Sequence, residues 1–145
     1  MVQLKIWTRL GPTENSSYVL EALEKFFPDI EFKADASKKR VEGKGRKRRL
    51  LDDLRHKIWN KQVLDTSREM MLGRMDGDLT NLMIHKQAAC VGKLVLVNRD
   101  EESPLGAIHI EIQSKKLEEL IDWLSPETIK GKPIEGFSSV QKKAL

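Results

Sequence analysis

Three segments of the chain, residues 2–9, 30–34 and 108–112, alternate between apolar and mostly polar side chains. Successive side chains of a β-strand point to opposite faces of a sheet, so this alternation predicts strands that are buried on one face only. The side chains expected on the other, open face include Lys5, Trp7, Arg9, Glu31, Lys33 and His109. That open face could meet a nucleic acid, a second copy of the chain or solvent.

The remaining apolar patterns predict helices and further strands. Residues at helical spacing indicate helices at about 13–27, with Thr13 as N-cap, 50–58, 64–74 and 115–124. Shorter strands are expected at 40–42, 79–86 and 93–98. The last of these contains the run Leu94-Val95-Leu96-Val97, which is typical of a strand buried on both faces.

Two rounds of strand, helix and strand predict an α+β fold class. We expect a mostly antiparallel sheet of five or six strands with helices packed on one face. A single α+β domain is expected at residues 1–126. Residues 127–145 combine glycine, proline and serine without periodicity, so an extended or mobile C-terminal tail is expected there.

Composition favours a soluble cytoplasmic protein. No stretch is apolar enough to cross a membrane, and Met1 is followed by a strand pattern instead of the apolar core of a signal peptide. The single cysteine, Cys90, cannot form an intrachain disulfide or a multi-cysteine metal site. We therefore expect no metal and no cofactor.

Charge is concentrated in one segment. Residues 38–61 contain eleven lysines and arginines against three acidic residues, a net charge of +8, while the rest of the chain sums to −4. An acidic body with one basic segment is the electrostatic footprint of a nucleic-acid-binding protein. A solvated, cation-rich surface of a heat-adapted protein is the alternative explanation.

The run Arg46-Lys47-Arg48-Arg49 opens the second predicted helix. Cations are disfavoured at a helix N-terminus, which attracts anions, so a phosphate-bearing partner would resolve the conflict. The candidate phosphate contacts are Lys44, Arg46, Lys47, Arg48, Arg49 and, farther along the helix, Arg55. Such contacts would fix position and affinity without reading sequence.

Three further residues are candidates for RNA contact. Trp7, between Lys5 and Arg9, could stack an unpaired base, or it could pack against a helix or a second copy of the chain. Lys86 and Lys93 flank a run of small residues and could hold a phosphate or a base edge. They could equally satisfy buried backbone groups in a structural bend.

Evidence for catalysis is weak. Asp76-Gly77-Asp78, with His85 or His109, matches no known metal-ligand spacing, and a hairpin turn explains the pattern. Cys90 lacks a convincing activating histidine in the sequence and is expected to be a buried apolar residue. No catalytic residue is predicted, and the protein is not expected to be an enzyme.

Four sequence segments are distinctive beyond general physics. They are Leu64-Asp65-Thr66-Ser67-Arg68, the stretch 81–93, Ser103-Pro104-Leu105-Gly106-Ala107-Ile108, and Leu120-Ile121-Asp122-Trp123-Leu124-Ser125-Pro126. In this order, after a first strand followed by Pro12-Thr13-Glu14, they resemble an uncharacterised archaeal protein family labelled as RNA-binding or exosome-subunit-like. The resemblance covers roughly residues 2–135.

The resemblance implies a fold similar to that of the large-subunit ribosomal protein that binds 5S ribosomal RNA. It also implies a homodimer in the cytoplasm of an archaeon, and its label alone suggests an RNA-processing complex. It carries no established reaction and no catalytic residues.

The leading hypothesis is a protein that contacts the phosphate backbone of structured RNA through residues 38–61. The alternative is a homodimeric interaction module, without catalytic activity, whose basic segment docks an acidic protein. A large apolar patch on the open sheet face would favour the alternative.

Overall fold

The computed structural model describes residues 2–35, 37–60, 63–129 and 132–133. Strands and helices follow one another as β1 Val2–Arg9, α1 Ser16–Phe26, β2 Phe32–Asp35, β3 Arg40–Gly45, α2 Asp52–Asn60, α3 Leu64–Gly73, β4 Leu79–Ile84, α4 Lys86–Cys90, β5 Ile108–Ser114 and α5 Leu117–Leu124. Two short 3₁₀ turns occur at Arg48–Leu51 and Asp100–Glu102. Thr128–Ile129 and Lys132–Pro133 form β6 and β7, a separate two-stranded hairpin.

The five main strands form one sheet in the order β2-β3-β1-β5-β4, and every neighbouring pair is antiparallel. The first strand of the chain therefore lies at the centre of the sheet. Its register places Ile6 opposite Gly43 on one side and Ile110 on the other. The α+β prediction and the antiparallel sheet are confirmed.

One face of the sheet forms the hydrophobic core. Its inward side chains are buried and pack with apolar residues of the helices in a single cluster. The buried sheet residues include Leu4, Ile6, Val41, Leu82, Ile84, Ile108, Ile110 and Ile112. The alternation seen in the sequence therefore identified the covered face of β1 and β5 correctly, because inward and outward side chains alternate along each strand. On the edge strand β2, Ala34 is exposed, although the alternation predicted it to be inward.

The predicted strand at 93–98 is wrong. This segment runs beside β4 with one isolated bridge, between Ile84 and Leu96, and two further backbone hydrogen bonds. Leu94 and Val97 are buried, but Val95 is 45% exposed. The apolar run covers the edge strand β4 with irregular chain. It shields that edge from pairing with another molecule without adding a strand to the sheet.

Two predicted element ends also shift. The strand predicted at 79–86 ends at Ile84, because the side chain of His85 caps α4 by accepting a hydrogen bond from Ala88 N. Helix α1 is capped by Asn15, whose side chain accepts from Ser17 N, and not by Thr13. In both cases a side chain that captures a free backbone N–H sets the boundary.

Most of the predicted C-terminal tail, residues 134–145, lies outside the described residues, as does Lys61 of the basic segment. Among the helices that are described, none is long and apolar enough to cross a membrane.

A cross-strand packing constraint makes Gly43 a stability test. A Cβ atom there would lie 2.7 Å from Phe32 and 2.9 Å from the Glu31 carbonyl oxygen. We expect Gly43→Ala to lower the free energy of unfolding by about 1–3 kcal/mol through overpacking. Gly73, in α3, has open space around the corresponding position, so Gly73→Ala should leave stability unchanged or raise it by up to about 1 kcal/mol. Urea unfolding measures both, and equal effects would contradict the assigned packing.

Candidate nucleic-acid interface

The basic run leads into a 3₁₀ turn that continues directly into α2. Arg46 and Lys47 connect the sheet to the helical layer, and Arg48–Leu51 form a 3₁₀ turn that inserts Leu51 into the core. Asp52 and Asp53 occupy the first turn of α2, where carboxylates suit the positive end of the helix dipole. The cations therefore lie on the 3₁₀ turn before α2, and the first turn of α2 itself carries carboxylates.

Two of the predicted RNA contacts are packed against aromatic side chains. The guanidinium of Arg48 lies 4.6 Å from the ring centroid of Trp123. Arg55 lies 4.4 Å from the ring of Trp59, and its Nε donates a 2.8 Å hydrogen bond to the Trp123 carbonyl oxygen. Burial lowers the pKa of Arg55, and the nearby Asp52 opposes that shift. These two arginines attach α2 to α5.

Lys5, Lys44 and Arg46 lie at one end of the open face, Lys47 follows Arg46 in the chain, and all four are exposed or half-buried. We call Lys5, Lys44, Arg46 and Lys47 the basic corner. Lys5 on β1 is directly opposite Lys44 on β3, and both line a shallow depression with Arg46. None of the four lies within 4 Å of a carboxylate among the described residues. Like charges directly opposite on neighbouring strands are destabilising, so the Lys5–Lys44 pair favours an anion. Glu111, opposite Lys5 on β5, offsets part of this repulsion.

Arg49 follows the basic corner on the 3₁₀ turn. Its guanidinium lies 3.6 Å from the carboxylate of Asp29, and both side chains are largely exposed. An exposed pair of this kind contributes little to stability and can be exchanged for another anion.

Lys86 is structural. Its side chain is 1% exposed, and its ammonium donates to the carbonyl oxygens of Arg9 at 2.6 Å and Leu105 at 2.8 Å. It also donates to the carboxylate of Glu14 at 3.1 Å. Burial lowers the pKa of Lys86, and Glu14 opposes that shift. Because the ammonium is enclosed by these acceptors, Lys86 is not accessible to an RNA phosphate.

Lys93 is exposed but lies away from the basic corner. It follows α4, which begins beyond the Ile84 end of β4, whereas Lys5 and Lys44 lie at the other end of the sheet. The turn before Lys93 is held by two other lysines: Lys25 donates to Cys90 O and Lys57 to Gly92 O. The sequence analysis named Lys86 and Lys93 as candidate RNA contacts in addition to the basic run. In the fold, neither of them lies at the basic corner.

Both faces of the Trp7 ring are covered. The His109 imidazole stacks on it with centroids 4.0 Å apart and planes 2° from parallel, and the Arg40 guanidinium lies 3.9 Å from the ring centroid. His109 is on β5 and Arg40 on β3, which flank β1 on opposite sides, so they occupy opposite faces of the indole. The indole N–H donates to Glu111 Oε2 at 2.6 Å. Trp7 therefore has no free face for a base.

Asp100 joins this stack to the loop before β5. Its carboxylate accepts from His109 Nε2 at 2.7 Å, from Ala107 N at 2.9 Å and from Arg9. Burial alone would raise the pKa of Asp100, but these hydrogen bonds and the Arg9 charge outweigh burial and lower the pKa below its ordinary value. The open face is thus rigid at its centre and at the end opposite the basic corner.

The segments that carry the family resemblance contact one another. Arg68 donates to Asp122 at 2.7 Å, and Ser67 is hydrogen-bonded to Ser125, which joins α3 to the end of α5. Lys86 N donates to Ser103 Oγ at 2.9 Å, which joins the start of α4 to the loop before β5. These segments supply contacts between distant elements, and the basic corner belongs to none of them.

Proteins of known sequence are similar to this chain over most of its length. A family model described as RNA binding matches residues 3–114. The chain belongs to this family. A UPF0201 protein of Saccharolobus islandicus is 35% identical over 138 residues, which covers 92% of this chain and 94% of the relative. A UPF0201 protein of Sulfurisphaera tokodaii is 32% identical over 136 residues with the same coverage.

Solved structures share the fold. The crystal structure of an uncharacterized UPF0201 protein has a TM-score of 0.76 at 26% identity and covers 91% of this chain and 99% of that chain. The UPF0201 protein of Methanococcus jannaschii has a TM-score of 0.78 at 22% identity, covering 92% and 99%. The predicted archaeal family is therefore confirmed.

The buried Lys86–Glu14 pair provides a test of the structural assignment. Glu14→Gln leaves an enclosed ammonium without its counter-charge, and we expect the free energy of unfolding to fall by about 3 kcal/mol. Glu24→Gln, at an exposed position of α1, the helix that follows Glu14, should change it by less than about 0.5 kcal/mol. Urea unfolding followed by circular dichroism compares the two. If both variants were as stable as the parent protein, Lys86 could not be a buried structural residue.

Proposed function

We propose that the protein binds RNA and contacts the phosphate backbone through the basic corner, with Arg49 beside it. The observation that carries this proposal is a group of four cations that form no ion pair with a described carboxylate, in a chain of the RNA-binding family. Glu111, opposite Lys5 on β5, is the carboxylate that shares their depression. Lys5 joins the candidate set because the register brings it opposite Lys44. Four candidates are not proposed as direct contacts, because their charged or aromatic groups already bind other groups of the protein. They are Lys86, Arg48, Arg55 and Trp7.

The physical basis is electrostatic. A phosphate between Lys5 and Lys44 would offset their mutual repulsion, and Arg46 and Lys47 extend the same charge around the corner towards the helical layer. Cations spread over two layers suit a chain of phosphates better than a single small anion. Each contact releases condensed counterions from the polymer, so affinity should fall steeply with salt.

The composition of the open face favours RNA binding over the assembly of subunits through an apolar surface. Of the large apolar side chains that are strongly exposed in the described part of the chain, only Leu79 lies on a strand of the sheet. The face instead presents charged, amide and stacked aromatic groups. Interfaces between permanently associated subunits are more apolar than this.

The finer expectations accompany this proposal. We infer recognition of structured RNA without catalysis. A fold relationship to the 5S ribosomal RNA-binding protein, a homodimeric state, a cytoplasmic location and an association with an RNA-processing complex stay predictions.

Removing charge from the basic corner tests the site. We expect Lys44→Ala/Arg46→Ala/Lys47→Ala to weaken binding to structured RNA by about tenfold or more, because three phosphate contacts are lost. The dependence of log affinity on log salt should become shallower by about 0.7–0.9 for each contact removed. Fluorescence anisotropy over a range of salt concentrations measures both.

The matched control removes the same charge at the other end of the sheet. Lys38→Ala/Lys93→Ala/Arg99→Ala changes three exposed cations there. This variant should retain the parent affinity within about threefold and keep a similar salt slope, because it leaves the proposed contacts intact. Equal losses in the two triple variants would show that net charge matters and that the basic corner is not the site.

An acidic polypeptide separates RNA binding from general attraction to anions. At equal charge and salt, the protein should bind structured RNA at least about tenfold more tightly than polyglutamate, because guanidinium and ammonium groups also make charge-assisted hydrogen bonds to closely spaced phosphate oxygens. Competition between the two polymers measures the ratio. Equal affinity would favour docking of an acidic protein.

A further inference from the structure

A second feature of the open face lies next to the basic corner. Lys5 on β1, Glu111 on β5 and Asn81 on β4 are directly opposite one another in register. Side chains at such positions are neighbours, with Cβ atoms about 4.5–5.5 Å apart. This row therefore presents an ammonium donor, a carboxylate acceptor and an amide side by side, and we call it the polar row.

The carboxylate of the polar row is held in place. Glu111 Oε2 accepts from the Trp7 indole, which is itself fixed between Arg40 and His109. Glu111 Oε1 makes no hydrogen bond to any described residue. A fixed carboxylate beside a phosphate-binding surface repels RNA unless it accepts a hydrogen bond from the nucleic acid. Its placement therefore points to a donor on the ligand.

The amide of the polar row is also oriented. Asn81 Oδ1 accepts a 2.9 Å hydrogen bond from the Arg74 guanidinium, which donates as well to the carbonyl oxygen of Asn98. This contact orients the side chain of Asn81. Its NH₂ group has no acceptor among the described residues. The row thus offers a free carboxylate oxygen next to a free amide donor.

The surroundings suit a flat ring. Asn81 and Glu111 line a depression of the open face together with Arg74, Met83 and His109. The guanidinium plane of Arg74 can pack on the face of a base. Phosphates that flank a bound base can reach the basic corner, which begins at Lys5 in the same row.

We propose that the polar row binds an unpaired guanine of the RNA. Guanine carries two adjacent donors, N1–H and the N2 amino group, which the Glu111 carboxylate can accept with Oε1 and with the second lone pair of Oε2, beside the Trp7 hydrogen bond. Its O6 can accept from Asn81 or Lys5. Adenine and cytosine place a ring acceptor beside the amino group, which would face the Glu111 carboxylate unfavourably. Uracil offers a single N–H between two carbonyl oxygens. This inference rests on the proposed function and adds base selectivity to it.

The test uses U-rich single-stranded RNAs that differ only in the central base. We expect the parent protein to bind the RNA with guanine about tenfold more tightly than those with adenine, cytosine or uracil, the discrimination of one good bidentate pair. Inosine, which lacks the N2 amino group, should lose part of this preference.

Glu111→Gln should abolish the preference without weakening binding to the all-uracil RNA. Glu118→Gln, which removes the same charge at an exposed position of α5, should retain it.

A second readout follows the site itself. The indole N–H of Trp7 donates to Glu111, so its ¹H–¹⁵N resonance should shift when the guanine-containing RNA is added and should shift less with the other RNAs. The indole resonances of Trp59 and Trp123 serve as internal references, and Trp7→Phe identifies the Trp7 signal. This measurement uses the parent protein and does not depend on the folding of a Glu111 variant.

The outcomes separate the two proposals. If no RNA of any kind binds, the proposed function and this inference both fail. If RNA binds equally well with every central base, or if the preference for guanine survives in Glu111→Gln, the polar row does not recognise guanine while the proposed function stands. A guanine preference without a Trp7 shift would likewise overturn the assignment of this site.

Discussion

Burial of one face of the antiparallel sheet is the constraint on which the rest of the structure depends. Strand β1 lies at the centre, and its inward residues Leu4 and Ile6 are buried between those of β3 and β5 under the helices. Apolar burial of this kind is the main favourable contribution to folding. Because side chains alternate along each strand, fixing the inward residues also fixes Lys5 and Trp7 on the open face.

The cations of this chain serve two different purposes that composition alone does not distinguish. Arg48 and Arg55 pack on tryptophan rings, and Lys86 is enclosed by carbonyl oxygens and Glu14. Lys44 and Arg46 lack such partners in the described structure and remain accessible. Buried charges need compensating partners, whereas exposed ones can exchange water for a ligand, so accessibility determines which cations can bind RNA.

The segments that make the family recognisable are the ones that join distant elements. Ser67 and Arg68 meet α5 and the residue after it. Lys86 joins α4 to the turn before α1 and to the loop before β5. Such buried polar contacts tolerate few substitutions, since losing one partner leaves the other unsatisfied. The proposed phosphate contacts of the basic corner lie outside these segments, whereas Asn81 of the polar row begins the segment 81–93. Family membership therefore identifies the scaffold more directly than it identifies the interface.

The sequence by itself determined the α+β class, the covered face of the sheet and the presence of a basic segment, because these depend on local periodicity and composition. It did not determine that 94–97 would cover an edge, since an apolar run has the same pattern in a strand and in a covering segment. Only the tertiary structure decided that Lys5 faces Lys44, that Lys86 is buried and that Glu111 stands beside Asn81. Strand order and register bring together residues far apart in the chain, and that pairing is set by packing of the whole core and not by any local pattern.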